Sequence, residues 1–192
     1  MDSSKHLMTQ KHKDLDLAGL IFISGPTGSG KSEVAEKLLI DHISVSYIAT
    51  SIIETEDKAW LMRIKTHKQR RPKHWETIEE PYSLRRALMR VNKGNSIIID
   101  SLGGYVASNL KEDDDSWNEK TIKLIKFIRT DTRLIILVSE EVGWGIVPAT
   151  SSGNVFRDRL SKLSTLLTKI ATRNLLVVRG KLIDLDKLSV IS

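Results

Sequence analysis

The sequence predicts an α/β fold in which helices cover both faces of a mainly parallel sheet. Short apolar runs of strand length alternate with amphipathic segments of helix length along most of the 192 residues, and this alternation is typical of parallel sheets. A glycine-rich stretch joins the first apolar run to the first helical pattern, as in many phosphate-binding α/β proteins. No internal repeat or linker divides the chain, so we expect a single domain over residues 19–192.

The first half of the chain contains three predicted strands and three predicted helices. Short apolar runs predict strands at 20–23, 45–49 and 97–100. Helical spacing of apolar residues predicts helices beginning at Lys31 and spanning 56–68 and 83–91. The acidic start of the second of these helices suits a helix N-terminus, and two prolines separate it from the third.

The second half continues the alternation. The acidic run at 112–115 predicts an exposed loop, and the amphipathic pattern at 117–129 predicts a helix. A strand is predicted at 134–139, and a long helix at 155–172 has Phe156, Leu160, Leu163, Leu167 and Ile170 on one face. A strand at 175–178 and a short C-terminal strand complete the prediction.

Composition excludes several classes of protein. The chain contains no cysteine, which excludes disulfides, thiolate metal sites and a cysteine nucleophile. No apolar run approaches the roughly 18 residues that a membrane span needs. Residues 1–18 are polar and carry aspartates, and they lack the apolar core of a secretory signal. We therefore predict a disordered N-terminal extension and a cytoplasmic protein.

Residues 25–32 form a complete phosphate-binding loop of the pattern G-x-x-x-x-G-K-[ST]. It consists of Gly25, Pro26, Thr27, Gly28, Ser29, Gly30, Lys31 and Ser32. The strand before it and the helix after it supply the context that this motif requires. Its glycines allow backbone N–H groups to converge on phosphate oxygens, its lysine reaches the β- and γ-phosphates, and its last hydroxyl contacts magnesium. The loop predicts binding of a nucleoside triphosphate.

Other polar residues are predicted to lie at the same edge of the sheet. In a parallel sheet, ligands bind beyond the carboxyl ends of the strands, which places Thr50, Ser51 and Asp100 beside the loop. Asp100 ends an apolar strand, as the metal-orienting carboxylate of P-loop enzymes does. A turn or helix-capping aspartate is the alternative interpretation of this residue.

A basic segment is the second chemical feature of the chain. The formal net charge is +6, and residues 58–93 contain eleven Lys and Arg against three Glu, a net +8 that leaves −2 elsewhere. Within this segment His67 lies among lysines and arginines. Such a histidine is often a solvated surface residue, but cations also favour the neutral imidazole, which can attack phosphorus and form a phosphoramidate.

The chain resembles the bifunctional adenosylcobinamide kinase / adenosylcobinamide-phosphate guanylyltransferase family of cobalamin assembly. The matching stretches run in family order from Leu20 to Val178. They are the phosphate loop, Tyr47-Ile48-Ala49-Thr50-Ser51, the pattern from Arg63 through His67, Arg71-Pro72, Trp75 and Thr77 to Glu79, Asp100-Ser101-Leu102, Ser108-Asn109-Leu110, Glu141-Val142-Gly143-x-Gly145-Ile146-Val147-Pro148 and Phe156-Arg157-Asp158.

The resemblance implies two reactions and a set of site residues. A nucleoside triphosphate, ATP or GTP, phosphorylates the aminopropanol hydroxyl of adenosylcobinamide; a histidine then captures GMP from GTP and passes it to the new phosphate. His67 matches the guanylylated residue. The remaining implied nucleotide-site residues are the phosphate loop, Thr50, Ser51, Ile52, Lys68, Gln69, Arg70, Arg71, Glu79 and Asp100, with Mg²⁺ held by Ser32 and Asp100. The family is similar to RecA-like P-loop proteins in fold and is usually a homotrimer.

The chain departs from the family pattern mainly outside the nucleotide half. The departures are Pro26 and Gly28 for Gly and Arg, Gly103-Gly104 for Thr-Leu, Glu140 for Asn, and Ser161, Ser164 and Thr165 for Gly, Asn and Gln. Apart from Pro26 and Gly28 in the phosphate loop, these positions belong to the expected corrinoid half of the site, which matches the family pattern less well than the nucleotide half.

Two other functions stay open on the sequence alone. The first is a P-loop kinase for another small hydroxylated substrate, without the guanylyl step. The second is a non-catalytic, nucleotide-dependent RNA-binding protein that uses the basic segment on phosphates. Aromatic residues in that segment are few, namely Trp60, Trp75 and Tyr82, which disfavours single-strand stacking; we therefore predict no nucleic-acid partner.

Overall fold

Strands and helices alternate along the chain. A computed structural model describes residues 17–52, 62, 68–145 and 147–188. In chain order the elements are β1 (Leu20–Gly25), α1 (Lys31–Leu38), β2 (Val45–Ala49), β3 (Glu76–Glu79), α2 (Leu84–Arg90), β4 (Ser96–Asp100), α3 (Leu102–Ser108), α4 (Asp114–Thr130), β5 (Ile135–Glu140), α5 (Ser151–Thr168), β6 (Arg173–Val178), β7 (Lys181–Asp184) and α6 (Leu185–Leu188).

The described strands form one seven-stranded sheet in the order β3-β2-β4-β5-β1-β6-β7. All neighbouring pairs are parallel except β6 and β7, which are antiparallel. The predicted α/β fold with a mainly parallel sheet is confirmed, and the phosphate loop between β1 and α1 makes it a P-loop NTPase fold. Because β5 lies between β1 and β4, the phosphate loop and Asp100 are separated by one strand.

Both faces of the sheet are covered because alternate strand residues point to opposite sides. Leu20 and Phe22 of β1 belong to the core beneath α2, α3, α4 and α5, whereas Ile21 and Ile23 belong to the core beneath α1. Burial of each such side chain contributes about 1.5–3 kcal/mol. Leu17 also packs against the second core, so packing reaches residue 17 of the predicted extension. None of the described helices is long and apolar enough to cross a membrane.

The two long helices begin earlier than predicted. The prediction that 112–115 is entirely loop is wrong, because α4 begins at Asp114 and the Asp113 carboxylate caps it by accepting from the Ser116 N–H at 2.9 Å. Acidic residues in a first turn complement the helix dipole. The helix predicted at 155–172 is α5 at 151–168, because Thr150 caps it by accepting from Gly153 N–H at 3.1 Å. Weak helix formers in that first turn obscured its start.

Three elements, β3, α3 and the short C-terminal helix α6, were not predicted. β3 is a four-residue edge strand that follows a proline-containing stretch. α3 contains Gly103 and Gly104, which disfavour a helix intrinsically, but a Cβ at Gly104 would lie 2.5 Å from the Thr50 hydroxyl. Close packing therefore selects glycine inside this helix. Most of the helix predicted at 56–68 lies outside the described residues, although residues 62 and 68–70 are helical.

Candidate functional site

The phosphate loop curls over the N-terminus of α1. Gly25 ends β1, and a Cβ there would overlap the Val177 carbonyl oxygen, so only glycine fits. Gly28 and Gly30 have φ of 74° and 96°, a left-handed conformation that glycine adopts without strain. The Ser29 N–H donates to the Pro26 carbonyl at 3.2 Å. The loop therefore has a fixed shape. The N-cap of α1 supplies no side-chain hydrogen bond, so the first turn of this helix is directed into the loop.

Lys31 lies inside this loop. Its side chain is buried, with 7% of the residue exposed, and its Nζ donates to the Pro26 carbonyl at 2.9 Å. A helix N-terminus together with a buried ammonium group forms an anion site. The predicted role of Lys31 at transferring phosphates suits this position.

Asp100 and Ser32 are brought together as the sequence predicts. The Ser32 hydroxyl donates to Asp100 Oδ1 at 3.2 Å, and the Tyr47 hydroxyl donates to Asp100 Oδ2. Burial raises the pKa of Tyr47 well above its usual range, and the Asp100 charge raises it further, so Tyr47 stays a neutral hydrogen-bond donor. The sequence analysis did not identify this contact, since Tyr47 reads as a core residue of a buried strand.

The donor set at Asp100 fits magnesium. Hydroxyl and carboxylate oxygens are ligands that a hard cation prefers, and Mg²⁺ usually keeps several waters and substrate phosphates around one or two protein ligands. In the described part of the chain no group of three or more His, Cys, Asp or Glu side chains forms a metal cluster. A magnesium site of Ser32 and Asp100 would therefore depend on a bound nucleotide to complete it.

A cleft of about 470 Å³ lies above the phosphate loop. The predicted residues that line it are Thr27, Gly28, Ser29, Gly30, Lys31, Ser32, Ser51, Lys68, Arg70, Arg71, Glu79 and Asp100. Five predicted residues do not line it: Gly25, Pro26, Thr50, Ile52 and Gln69. His67 lies outside the described residues.

Thr50 has a supporting position beneath the cleft. It is fully buried, and its hydroxyl accepts from the Ser101 N–H at 2.9 Å and donates to the Ser101 carbonyl at 2.5 Å. Ser101 itself lines the cleft. Thr50 therefore acts on the cleft through the backbone after Asp100, and its side chain has no free access to a ligand.

The cationic side of the cleft comes from the end of the basic segment. The Arg71 guanidinium lies 3.3 Å above the Tyr47 ring centroid, a cation–π contact, and its Nε and Nη1 are buried without a hydrogen-bond partner among the described residues. Arg70 pairs with buried Glu36 at 3.2 Å. Burial raises the pKa of Glu36 even though Arg70 opposes it. The arginines thus pack against the loop helix and β2 and bring positive charge to the cleft.

Glu140 is a cleft residue that the sequence analysis recorded only as a departure from the family pattern. It ends β5 and lines the cleft, and its Oε2 accepts from the Gly103 N–H at 3.0 Å. The sequence could have indicated this cleft residue, because Glu140 ends an apolar strand just as Asp100 does. Glu33, Ala49 and Ser101 also line the cleft and were not predicted.

Comparison with known proteins finds one matching family and related sequences. A family model described as cobinamide kinase / cobinamide phosphate guanyltransferase matches residues 21–185. The bifunctional adenosylcobalamin biosynthesis protein CobU of Escherichia coli (strain K12) is 31% identical over 176 residues, covering 84% of this chain and 96% of the relative. The CobP protein of Pseudomonas aeruginosa with the same bifunctional description is 32% identical over 161 residues, covering 82% and 92%.

Solved structures show more distant similarity. A protein from Pyrococcus horikoshii OT3 has a TM-score of 0.49 at 12% identity, covering 96% of this chain and 91% of that one. The RadB recombinase has a TM-score of 0.47 at 14% identity, covering 88% and 79%. It is the family match over residues 21–185 that assigns the chain: it belongs to the cobinamide kinase / cobinamide phosphate guanyltransferase family.

Proposed function

We propose that this protein phosphorylates the hydroxyl of adenosylcobinamide from a nucleoside triphosphate and then transfers GMP from GTP to the new phosphate. One observation carries the proposal: a single cleft combines the phosphate loop, Asp100 and the basic residues that follow His67. The family match over most of the chain supplies the substrate class. Both reactions transfer a phosphorus centre, so one anion site serves both.

In the kinase step the loop residues bind and orient the phosphates. The acceptor hydroxyl oxygen forms a bond to the γ-phosphorus while the bond from that phosphorus to the β–γ bridging oxygen breaks, and the nucleoside diphosphate leaves with the electron pair. Lys31 neutralises charge on the transferring group. Magnesium, held by Ser32 and Asp100, would supply further positive charge at the β- and γ-phosphates.

In the guanylyl step His67 acts as the nucleophile. An imidazole nitrogen forms a bond to the α-phosphorus of GTP, the bond to the α–β bridging oxygen breaks, and pyrophosphate leaves. The GMP then passes to the phosphate of the first product, which regenerates the imidazole. His67 directly precedes Lys68 in sequence, and Lys68 and Arg71 line the cleft, which supports placing the nucleophile at the phosphates.

Several finer features belong to the proposal. In it the phosphate donor is ATP or GTP, Mg²⁺ is the metal, and nucleic acid is not a substrate. The homotrimer implied by the family resemblance and the cytoplasmic location stay predictions. Sedimentation velocity of the full chain tests the trimer directly.

Labelling with GTP that carries radioactive phosphorus at the α-position tests the function. We expect a label on the wild-type protein that acid removes and alkali does not, because protonation of the phosphoramidate nitrogen makes the imidazole a good leaving group. His67→Ala should lose the label but still phosphorylate adenosylcobinamide. His74→Ala is the matched control, since His74 is an exposed histidine of the same basic segment.

Three results would contradict parts of the proposal. An unlabelled wild-type protein that still phosphorylates adenosylcobinamide would indicate a plain kinase. Label that persists in His67→Ala would move the nucleophile to another residue. Transfer to other small alcohols, with none to adenosylcobinamide, would favour the kinase for another hydroxylated substrate.

A further inference from the structure

Glu140 lies where two cavities meet. It lines the nucleotide cleft, and it also lines a second cavity of about 330 Å³ on the α5 side of the sheet. Hydroxyl side chains of α5 face this second cavity, among them Ser161, Ser164 and Thr165, and Trp144 lies at its edge with 68% of its surface exposed. A ligand group in the second cavity would therefore approach the nucleotide cleft at Glu140.

The strand register places Glu140 farther into the cleft than Asp100. Glu140 pairs with Gly25, the first residue of the phosphate loop, whereas Asp100 pairs with Val138, two residues earlier on the same strand. Two residues of a strand advance about 7 Å. Glu140 thus lies beyond the proposed magnesium carboxylate in the direction in which the strands end, between the phosphate loop and the strand of Asp100.

The other carboxylates of the cleft already have partners. In the described part of the chain the acids that line it are Glu33, Glu79, Asp100 and Glu140. Glu33 and Glu79 each pair with a lysine at 2.7 Å, and both oxygens of Asp100 accept hydrogen bonds. Glu140 forms no ion pair among the described residues, and its Oε2 is held by the Gly103 N–H at 3.0 Å.

Gly103 makes this position of the carboxylate possible. A Cβ on residue 103 would overlap Glu140 Oε2, so a larger residue there would displace the side chain. The backbone N–H holds one carboxylate oxygen, and no hydrogen bond to the other is formed among the described residues. A carboxylate with one fixed and one available oxygen is an arrangement suited to accepting a proton.

We propose that Glu140 is the general base of the phosphorylation step and that the second cavity admits the hydroxyl-bearing arm of the acceptor. This inference rests on the proposed function. As the acceptor oxygen forms its bond to the γ-phosphorus, its proton passes to the available Glu140 oxygen, while the nucleoside diphosphate leaves with the electron pair of the broken bond. Glu140 later releases the proton to solvent.

Glu140→Gln tests this role, because the amide keeps the shape and can still accept from the Gly103 N–H. We expect kcat for phosphorylation of adenosylcobinamide to fall by about 10²–10⁴, the usual contribution of a general base. KM for the nucleotide and GMP transfer to adenosylcobinamide phosphate should be unchanged. Glu119→Gln, which removes an exposed carboxylate of α4, is the charge-matched control.

A second experiment uses the overlap between residues 103 and 140. Gly103→Ala should lower phosphorylation as Glu140→Gln does, because it displaces the carboxylate. In a Glu140→Ala background, Gly103→Ala should have no further effect, because the overlapping atoms are gone. Independent, additive losses would overturn the proposed contact.

The outcomes separate this inference from the function it rests on. Wild-type kcat in Glu140→Gln would overturn the role of Glu140 alone. Equal loss of phosphorylation, GMP transfer and nucleotide binding would also overturn it, since that pattern indicates a structural role. A wild-type protein that does not phosphorylate adenosylcobinamide refutes the proposed function, and the inference about Glu140 is refuted with it.

Discussion

Replacing Lys31 with methionine tests the central electrostatic contact of the phosphate loop. Methionine preserves most of the apolar stem but removes the ammonium group. The loop itself should keep its shape, because the Pro26 carbonyl that accepts from Lys31 at 2.9 Å also accepts from the Ser29 N–H at 3.2 Å. The variant therefore removes a charge with little change to the backbone that positions it.

The burial of Lys31 sets the expected size of the effect. Two unit charges about 4 Å apart interact by roughly 1 kcal/mol in water and by roughly 4 kcal/mol at an effective dielectric constant of about 20. Only 7% of Lys31 is exposed, so the larger value applies better. That range agrees with the roughly 10²–10³-fold loss of rate, about 2.7–4 kcal/mol, typical for removing one preorganised charge-stabilising donor.

The assay is transfer of γ-labelled phosphate to adenosylcobinamide at saturating nucleotide and magnesium. We expect Lys31→Met to lose about 10²–10³-fold in kcat and to keep the wild-type unfolding temperature. Lys37→Met is the control, because Lys37 is an exposed lysine of the same helix that pairs with Glu33 at 2.7 Å. Near-wild-type turnover in Lys31→Met would refute the assignment of this loop as the catalytic phosphate site.

Three further predictions concern the cleft and its scaffold. Asp100→Asn should raise the magnesium midpoint of phosphorylation without changing the fold, because the amide lacks the charge that a hard cation prefers; an unchanged midpoint would favour a turn role. Gly25→Ala should abolish nucleotide binding, because its Cβ would overlap a carbonyl oxygen of β6. Gly28→Ala should only lower the free energy of unfolding in urea by about 1–2 kcal/mol, the strain of a left-handed backbone, because no atom lies near its Cβ. Equal effects of the two variants would contradict this prediction. Arg133→Met should destabilise the fold by about 1–3 kcal/mol, because it leaves the carboxylate of half-buried Asp131 without its hydrogen-bonding counter-charge. Burial alone would raise the pKa of Asp131, but hydrogen bonds and charge from Arg133 lower it overall. The stabilisation by this pair is therefore present above the ordinary carboxyl pKa and is lost as the pH falls towards the lowered pKa. A difference in unfolding free energy between wild type and variant that stays constant in acid would contradict this coupling.

The sequence predicts contiguous features of this protein well. The phosphate loop is encoded in eight successive residues whose backbone and charge requirements are local, and the spans of β2 and β4 follow from their apolar runs. The first turn of α5 was harder to place, because Ser151 and Gly153 are weak helix formers and a capping contact at Thr150 determines where the helix begins.

Features that depend on the order of the strands in the sheet could not be predicted from the sequence in the same way. The significance of Glu140 depends on β5 lying between β1 and β4, which brings the end of a later strand beside the phosphate loop. Thr50 illustrates the reverse case. Its position after a strand predicted a ligand contact, but the chain turns so that its hydroxyl bonds to Ser101 and is fully buried. The alternation of strands and helices predicts at which edge of the sheet a ligand binds. It does not predict which side chains at that edge can contact the ligand.

Five of the departures from the family pattern lie close together in the structure. Glu140, Ser161, Ser164 and Thr165 all line the second cavity, and Gly103 contacts Glu140. Substitutions that are scattered over some sixty positions of sequence therefore meet on one wall, next to the nucleotide cleft but outside the phosphate loop. Two of them are linked directly, because the carboxylate at 140 can occupy its position only while residue 103 has no side chain. Under the proposed role of the second cavity, these departures therefore lie where this chain would contact the acceptor.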